Sequence, residues 1–148
     1  MLLIASDRRR FLRFELLPLG ERHWEWHGYM LVVGDIDRGE VARLEAMSGS
    51  PLFLDREVTP EIPSMCEGLE RAIDGEHFSF APVDERDFTL SAKRSGNGVM
   101  LQTQARRSPF ADETGWPLGL EVSAAALKRF TAGLRLEYEQ LMDCLPLR

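Results

Sequence analysis

The residues best suited to metal chemistry are two histidines and a glutamate that alternate along one short segment, namely His23, Glu25 and His27. Imidazole and carboxylate groups are zinc ligands, so this set could in principle hold a metal ion. Trp24 and Trp26 alternate with them, however, which is the pattern of a strand with one polar and one apolar face. We therefore interpret the set as the polar face of a half-buried strand and expect no bound metal.

Carboxylates are frequent in the connecting segments, where a pair could act as a general acid and a general base. Asp35 and Asp37 resemble the start of a cation-binding loop, but the further oxygen ligands of a calcium loop do not follow at the required spacing. The other carboxylates of this kind are Asp84, Glu85, Asp87, Asp112 and Glu113. Their positions favour solvated turns and loops over a catalytic pair.

The short motifs that mark a nucleophile or a phosphate site are missing from the sequence. It has no Gly-x-Ser-x-Gly turn, no P-loop and no dinucleotide-binding glycine motif. The run from Ser95 to Gly98 has the composition of a hairpin turn. We expect that the chain is not an enzyme and that it uses no cofactor.

The charge balance favours a protein partner over a nucleic acid. The chain has 18 Lys and Arg against 24 Asp and Glu, a net charge of −6, whereas nucleic-acid binding needs a cationic face. The basic clusters, Arg8-Arg9-Arg10 and Arg106-Arg107, are not interleaved with aromatic residues as in single-strand readers. An acidic chain suits a basic protein partner.

Cysteine usage and the start of the sequence both indicate the cytoplasm. Cys66 and Cys144 each fall within an apolar helical pattern and have no metal-ligand spacing, which fits a reducing compartment. The apolar run at 2–5 is too short for a signal peptide, and no segment approaches the roughly 20 apolar residues of a membrane span. We expect a cytoplasmic protein that does not bind membranes.

Alternating apolar and polar residues predict strands in both halves of the chain. The predicted strands are residues 2–5, 11–17, 23–33, 40–47, 77–80, 88–92, 99–103 and 118–122. The segment 40–47 fits neither the two-residue period of a strand nor the 3.6-residue period of a helix cleanly. The end of the segment 23–33 is apolar on both faces. Because most connections are short turns, we expect the strands to pair antiparallel.

Two segments have the 3.6-residue apolar period of amphipathic helices. The first covers about 60–74, with Thr59 as its cap and Gly75 as its stop, and the second covers about 123–145, with Ser123 as its cap. We predict a single α+β domain over residues 1–148, in which the two helices pack on one face of an antiparallel multi-stranded sheet.

Four apolar segments follow one another in an order that is known from another group of proteins. They are the strand 11–16, the strand ending 29–33, the helix 65–69 leading into 78–80, and the strand 118–122 leading into the last helix. This order resembles that of the WapI-type bacterial immunity proteins, which are small α+β proteins paired with secreted or contact-delivered toxins. The resemblance implies a toxin-neutralising role, but it assigns no functional residue in this sequence.

We therefore expect a non-enzymatic protein-binding module, of the immunity type, that neutralises a toxin by occluding its active site. An acidic and partly aromatic surface would speed association and anchor the partner. The residues expected on that surface are Trp24, Trp26, Asp35, Asp37, Asp84, Glu85, Asp112 and Glu113.

Two other functions remain open from the sequence. The chain could be a structural or accessory protein that self-associates through sheet edges or its last helix. It could also be a small-ligand binder or an enzyme that uses the loop 106–117 and the turn at Asp35 and Asp37. The sequence does not set the oligomeric state.

Overall fold

Within the residues that the structure describes, eight strands and two helices form an α+β fold, as the sequence predicted. The computed structural model describes residues 1–18, 27–46, 61–81, 88–105 and 118–143. The strands are β1 (Leu2–Ile4), β2 (Arg10–Pro18), β3 (His27–Asp35), β4 (Gly39–Ala46), β5 (Phe78–Phe80), β6 (Phe88–Ser95), β7 (Gly98–Ala105) and β8 (Leu118–Ser123). The helices are α1 (Glu61–Ile73) and α2 (Ala124–Asp143).

The strands pair antiparallel throughout, as predicted, but they divide into two sheets. Their orders are β1-β2-β3-β4 and β5-β6-β7-β8, so each half of the chain forms a meander. Strands that follow one another in the chain are neighbours in each sheet, and α1 lies between β4 and β5. The ambiguous segment near 40–47 is the strand β4, because it pairs with β3 along its length.

The two sheets meet where the turn between β1 and β2 reaches the outer edge of β8. The amide of Ser6 donates to the carbonyl of Glu121 at 2.7 Å. The guanidinium of Arg10 donates to the carbonyl of Gly119. We call this contact the sheet junction, and it places β1 beside the end of β8 from which α2 starts.

Both sheets and both helices contribute to one hydrophobic core. Leu12, Phe14 and Leu31 come from the first sheet, and Leu101 and Leu120 come from the second, all with 1% exposure or less. Burial of side chains of this size stabilises the fold by roughly 1.5–3 kcal/mol each. In β3 the residues Met30 and Val32 are also buried, on the face opposite Leu31, which confirms that this strand is apolar on both faces.

Most of the described residues of the predicted apolar stripes are buried in the helices. In α1 the buried residues are Ile62, Met65, Cys66, Leu69 and Ala72. In α2 they are Leu127, Phe130 and Leu134. Ser123 caps α2, since its hydroxyl accepts the amide of Ala126 at 3.2 Å. The predicted cap of α1, Thr59, lies outside the described residues.

A bidentate ion pair joins the two helices. The guanidinium of Arg135 donates to Glu70 Oε1 at 2.5 Å and to Glu70 Oε2 at 2.9 Å. The hydroxyl of Thr131, which is fully buried, donates to Glu70 Oε1 at 2.5 Å. Because Arg135 and Thr131 hydrogen-bond the charged form, the pKa of Glu70 lies below its ordinary value. The pair therefore fixes how α1 and α2 align.

The hairpin that joins β6 and β7 lies where the sequence predicted it. Ser95 pairs with Gly98, so the two residues between them form the turn. Gly96 has a φ of +54° and supplies the left-handed conformation. A two-residue turn with glycine first favours the twist of antiparallel strands, which accounts for the sharp reversal.

We predict that Gly68→Ala destabilises the protein although alanine favours helices. The ring of Phe78 packs against Gly68, and a methyl group there would overlap three atoms of that ring. Overpacking of this kind costs about 1–3 kcal/mol, more than the ~1 kcal/mol that the helix gains. Chemical denaturation measures the difference in unfolding free energy.

The matched control is Gly133→Ala in α2. A methyl group at Gly133 meets the end of the flexible Met1 side chain, which can turn aside. We therefore expect Gly133→Ala to be neutral or stabilising. An equal loss of stability in both variants would show that the Phe78 ring is not the cause.

We predict that Glu70→Gln lowers stability at neutral pH and has little effect in acid. Because the pKa of folded Glu70 is depressed, its contribution is present at neutral pH and is lost as the pH falls through that pKa. The pair is about one-third exposed, so we expect a loss of about 1 kcal/mol. The measurement is denaturation at neutral and at acidic pH.

Glu67→Gln serves as the control for this prediction. Glu67 forms an exposed ion pair with Arg71 one turn along the same helix. Such pairs contribute about 0.3–0.5 kcal/mol. A Glu67→Gln loss as large as that of Glu70→Gln would contradict the special role of the interhelical pair.

Candidate functional site

Most of the residues that the sequence placed at a partner surface lie outside the described residues. These are Trp24, Trp26, Asp84, Glu85, Asp112 and Glu113, together with the loop 106–117. Asp35 and Asp37 are described, and both lie at the turn between β3 and β4. The structure therefore describes two of the eight residues predicted for that surface.

The carboxylate of Asp35 stabilises the turn that contains it. Its Oδ1 accepts the amide of Asp37 at 2.9 Å, and its carbonyl accepts the amide of Arg38 at 3.2 Å. Aspartate often closes a turn in this way. Asp37 is exposed, so of the two predicted carboxylates it is the one that faces solvent.

Ile36, between these two aspartates, connects the turn to the start of the chain. Its amide donates to the carbonyl of Arg9 at 2.6 Å. Its side chain is 51% exposed. The β3–β4 turn and the β1–β2 turn therefore lie side by side, with Ile36 at the surface.

A groove of about 720 Å³ runs between β1 and the first part of α2. Leu2 and Ile4 line it from β1, Ala126 and Phe130 line it from α2, and Ile36 lines it from the turn. We call it the β1 groove. Leu2, Ile4 and Ile36 are three of the four large hydrophobic side chains that are exposed among the described residues.

The fourth exposed hydrophobic side chain continues the same surface. Leu136 lies two helical turns after Arg129, which lines the β1 groove, so both residues lie on one stripe of α2. Gly133 lies between them and is covered by the Met1 side chain. The exposed apolar residues of the described part are thus gathered on one side of the molecule.

Among the described residues, no strand pairs with the edge of β1 that faces away from β2, and we call this the open edge of β1. Phe14 donates to Met1 and Ala5 donates to Arg10, each at 2.8 Å, which sets the alternation of the antiparallel ladder. Leu2 and Ile4 fall between these pairs, so their amides and carbonyls point away from β2. They have no hydrogen-bond partner within the described part of the chain, whereas the next outward amide, that of Ser6, is bonded at the sheet junction.

The turn between β1 and β2 holds Arg8 in a strained conformation. Arg8 has a φ of +57°, in the left-handed region that side chains disfavour. Asp7 maintains the turn by accepting the amide of Arg9 at 2.8 Å and the guanidinium of Arg10 at 3.0 Å. The backbone amide of Arg9 lowers the pKa of Asp7 and keeps it charged. Strained residues that the surroundings hold in place are characteristic of functional sites.

Two arginines give the β1 groove a positive charge. Arg8 and Arg129 both line it, and neither forms an ion pair with another described residue. This local charge is opposite in sign to the net charge of −6. The groove therefore combines apolar side chains, an open strand edge and two available guanidinium groups.

Burial raises the pKa of the Cys66 thiol to about 12, so it remains protonated and packs as a core residue, as predicted. The described residues contain no group of three His, Cys, Asp or Glu side chains that could hold a metal ion.

Neither helix of the described part is long and apolar enough to cross a membrane.

The sequence pattern contained a signal for part of the β1 groove. Ile36 is an apolar residue in an otherwise polar turn, and Arg8 belongs to a basic cluster. Leu2 and Ile4 share one face of the predicted strand 2–5. The contribution of Arg129 was missed, because nothing local to that residue distinguishes it from the other charged residues on the helix.

Comparison with known proteins gave no match to a protein-family model, to a curated protein or to a solved structure. The resemblance to WapI-type immunity proteins thus stays a prediction that depends on the order of apolar segments.

We predict that Arg8→Gly stabilises the protein. Glycine adopts a positive φ at no steric cost, and relief of the strain outweighs the entropy that glycine loses on folding by about 0.5–1 kcal/mol. Thermal denaturation measures the gain.

Arg9→Gly is the matched control, because it removes the same charge from a neighbour without positive φ. We expect this variant to be neutral or destabilised. Equal stabilisation of both variants would trace the effect to charge and not to backbone strain.

Proposed function

We propose that this chain is a non-enzymatic protein-binding module and that it binds its partner at the β1 groove. The observation that carries the proposal is the exposure of Leu2, Ile4 and Ile36 along a single groove. Exposed apolar patches of a folded domain mark interaction surfaces, because their contact with water is unfavourable. A partner that covers them gains the free energy of their burial.

The exposure of these side chains favours a polypeptide over a small molecule. Sites for small ligands enclose most of the ligand surface within apolar walls. Here Leu2 and Ile36 are about half exposed and Ile4 is 43% exposed, so the groove is shallow at its rim. A protein segment can cover the rim as well as the floor.

Neutralisation of a toxin by occlusion is the specific form of this function that we propose. The order of apolar segments, which resembles that of WapI-type immunity proteins, supports this form. In it the β1 groove holds one segment of the toxin while the body of the protein covers the active site. The carboxylates Asp84, Glu85, Asp112 and Glu113 would then meet basic residues elsewhere on the same partner.

Self-association is the second candidate, and the open edge of β1 favours it. An exposed strand edge is a template for pairing with the same edge of another copy. β1 spans Leu2–Ile4, so such a pairing would be short. Protein capture combined with sedimentation separates self-association from binding of a different protein.

We predict that Ile36→Asp weakens partner binding at least tenfold without unfolding the protein. The exposed Ile36 side chain can be exchanged at little cost to the fold, whereas a carboxylate there would have to be desolvated in the interface. The tagged protein is used to capture proteins from its host lysate and medium, followed by mass spectrometry. We expect the Ile36→Asp variant to retain at most about one-tenth of the partner that the unchanged protein retains.

Asn97→Asp is the matched control, since it also adds one carboxylate to an exposed hairpin turn. It should retain the same partner as the unchanged protein. If the unchanged protein and both variants captured the same amount of partner, the β1 groove would be refuted as the binding surface. Sedimentation that shows a dimer, lost in Ile36→Asp, with no other protein retained, would establish self-association in place of the proposed function.

A further inference from the structure

We infer that the β1 groove binds an extended acidic segment of the partner, which adds to β1 as a further strand. This inference rests on the proposed function and specifies the chemistry of the partner. Three features of the groove support it: the open edge of β1, the exposed apolar side chains and the two arginines.

The backbone of β1 provides the first requirement. The amides and carbonyls of Leu2 and Ile4 point away from β2 and have no partner among the described residues. An extended peptide placed beside β1 can pair with these groups as a strand does in a sheet. Pairing must end at Ser6, since its amide already bonds to Glu121. The edge therefore admits a short strand in a defined register.

The side chains beside this edge provide the second requirement. In an added strand, alternate side chains point to opposite faces of the sheet. Those on the outer face lie beside Leu2 and Ile4, whose own side chains are exposed. Those on the inner face point toward α2, where Ala126, Arg129 and Phe130 line the groove. An alternating apolar and polar segment matches both faces.

Charge decides which polar residue the segment carries. Arg8 and Arg129 line the groove and form no ion pair with other described residues. A guanidinium group binds a carboxylate through two parallel hydrogen bonds, which gives both attraction and orientation. The net charge of −6 acts from farther away, and salt screens it beyond roughly 8–10 Å. The local arginines thus favour glutamate or aspartate in the segment.

The open backbone edge also distinguishes a peptide from a phosphate-bearing polymer. Two arginines alone would attract an acidic peptide and a nucleic acid alike, since carboxylates and phosphates both have anionic oxygens. A nucleic acid, however, lacks the alternating amides and carbonyls that pair with a strand edge. The exposed Leu2 and Ile4 side chains add apolar contacts that suit valine or isoleucine. An acidic peptide is therefore the occupant that uses every feature of the groove.

The test uses the full chain and three labelled synthetic peptides. One alternates valine and glutamate, one alternates valine and lysine, and one repeats the first with N-methylated amides along one edge. Fluorescence anisotropy measures binding. We expect the valine–glutamate peptide to bind about tenfold more tightly than either of the others, because they lack the carboxylates or the backbone donors.

Two pairs of charge reversals assign this preference to the groove. Arg8→Glu combined with Arg129→Glu should invert the preference, so that the valine–lysine peptide binds more tightly. Lys93→Glu combined with Arg94→Glu reverses two exposed cations on β6 and should leave it unchanged. Amide exchange followed by NMR should show that the valine–glutamate peptide protects Leu2 and Ile4, whereas its N-methylated form does not.

Several results would overturn the inference. They are equal binding of the glutamate and lysine peptides, unchanged binding after N-methylation, and a preference that survives reversal of Arg8 and Arg129. Failure of the valine–glutamate peptide to bind would also overturn it. In each case loss of the natural partner in Ile36→Asp would still support the proposed function, so the two proposals fail separately.

Discussion

The sheet junction is the contact on which the described architecture depends. The Ser6 amide and the Arg10 guanidinium bond to the carbonyls of Glu121 and Gly119, and they join a strand edge of the first sheet to one of the second. Each meander is a sheet of its own, and this contact links one edge of each to the other. Because α2 begins directly after β8, the junction also determines where α2 lies relative to β1.

The turn that forms the junction has a second role at the surface. Asp7 orients Arg10 toward the second sheet, and the same turn holds Arg8 beside the β1 groove. The backbone strain at Arg8 is therefore compensated by hydrogen bonds that the fold needs in any case. One turn thus both joins the two sheets and places Arg8 at the groove, which acquires a charge opposite to that of the whole chain.

Local patterns predicted the elements, whereas contacts between distant residues determined the site. The stripe of α2, its cap at Ser123 and the hairpin at Ser95–Gly98 follow from periodicity and residue type, and the structure confirms them. The division into two sheets and the position of Ile36 next to Arg9 depend on which turns touch. A single sequence does not specify such contacts, because many neighbours satisfy the same apolar pattern.

The β1 groove has one wall from the first strand and another from the last helix. Contacts between such distant parts of a chain cost more loop-closure entropy than local contacts do, which makes them slow to form. During synthesis, a chain that has not yet emerged as far as α2 has no groove, however well its first sheet is formed. The β1 groove therefore exists only once the first strand and the last helix of the described chain have folded together.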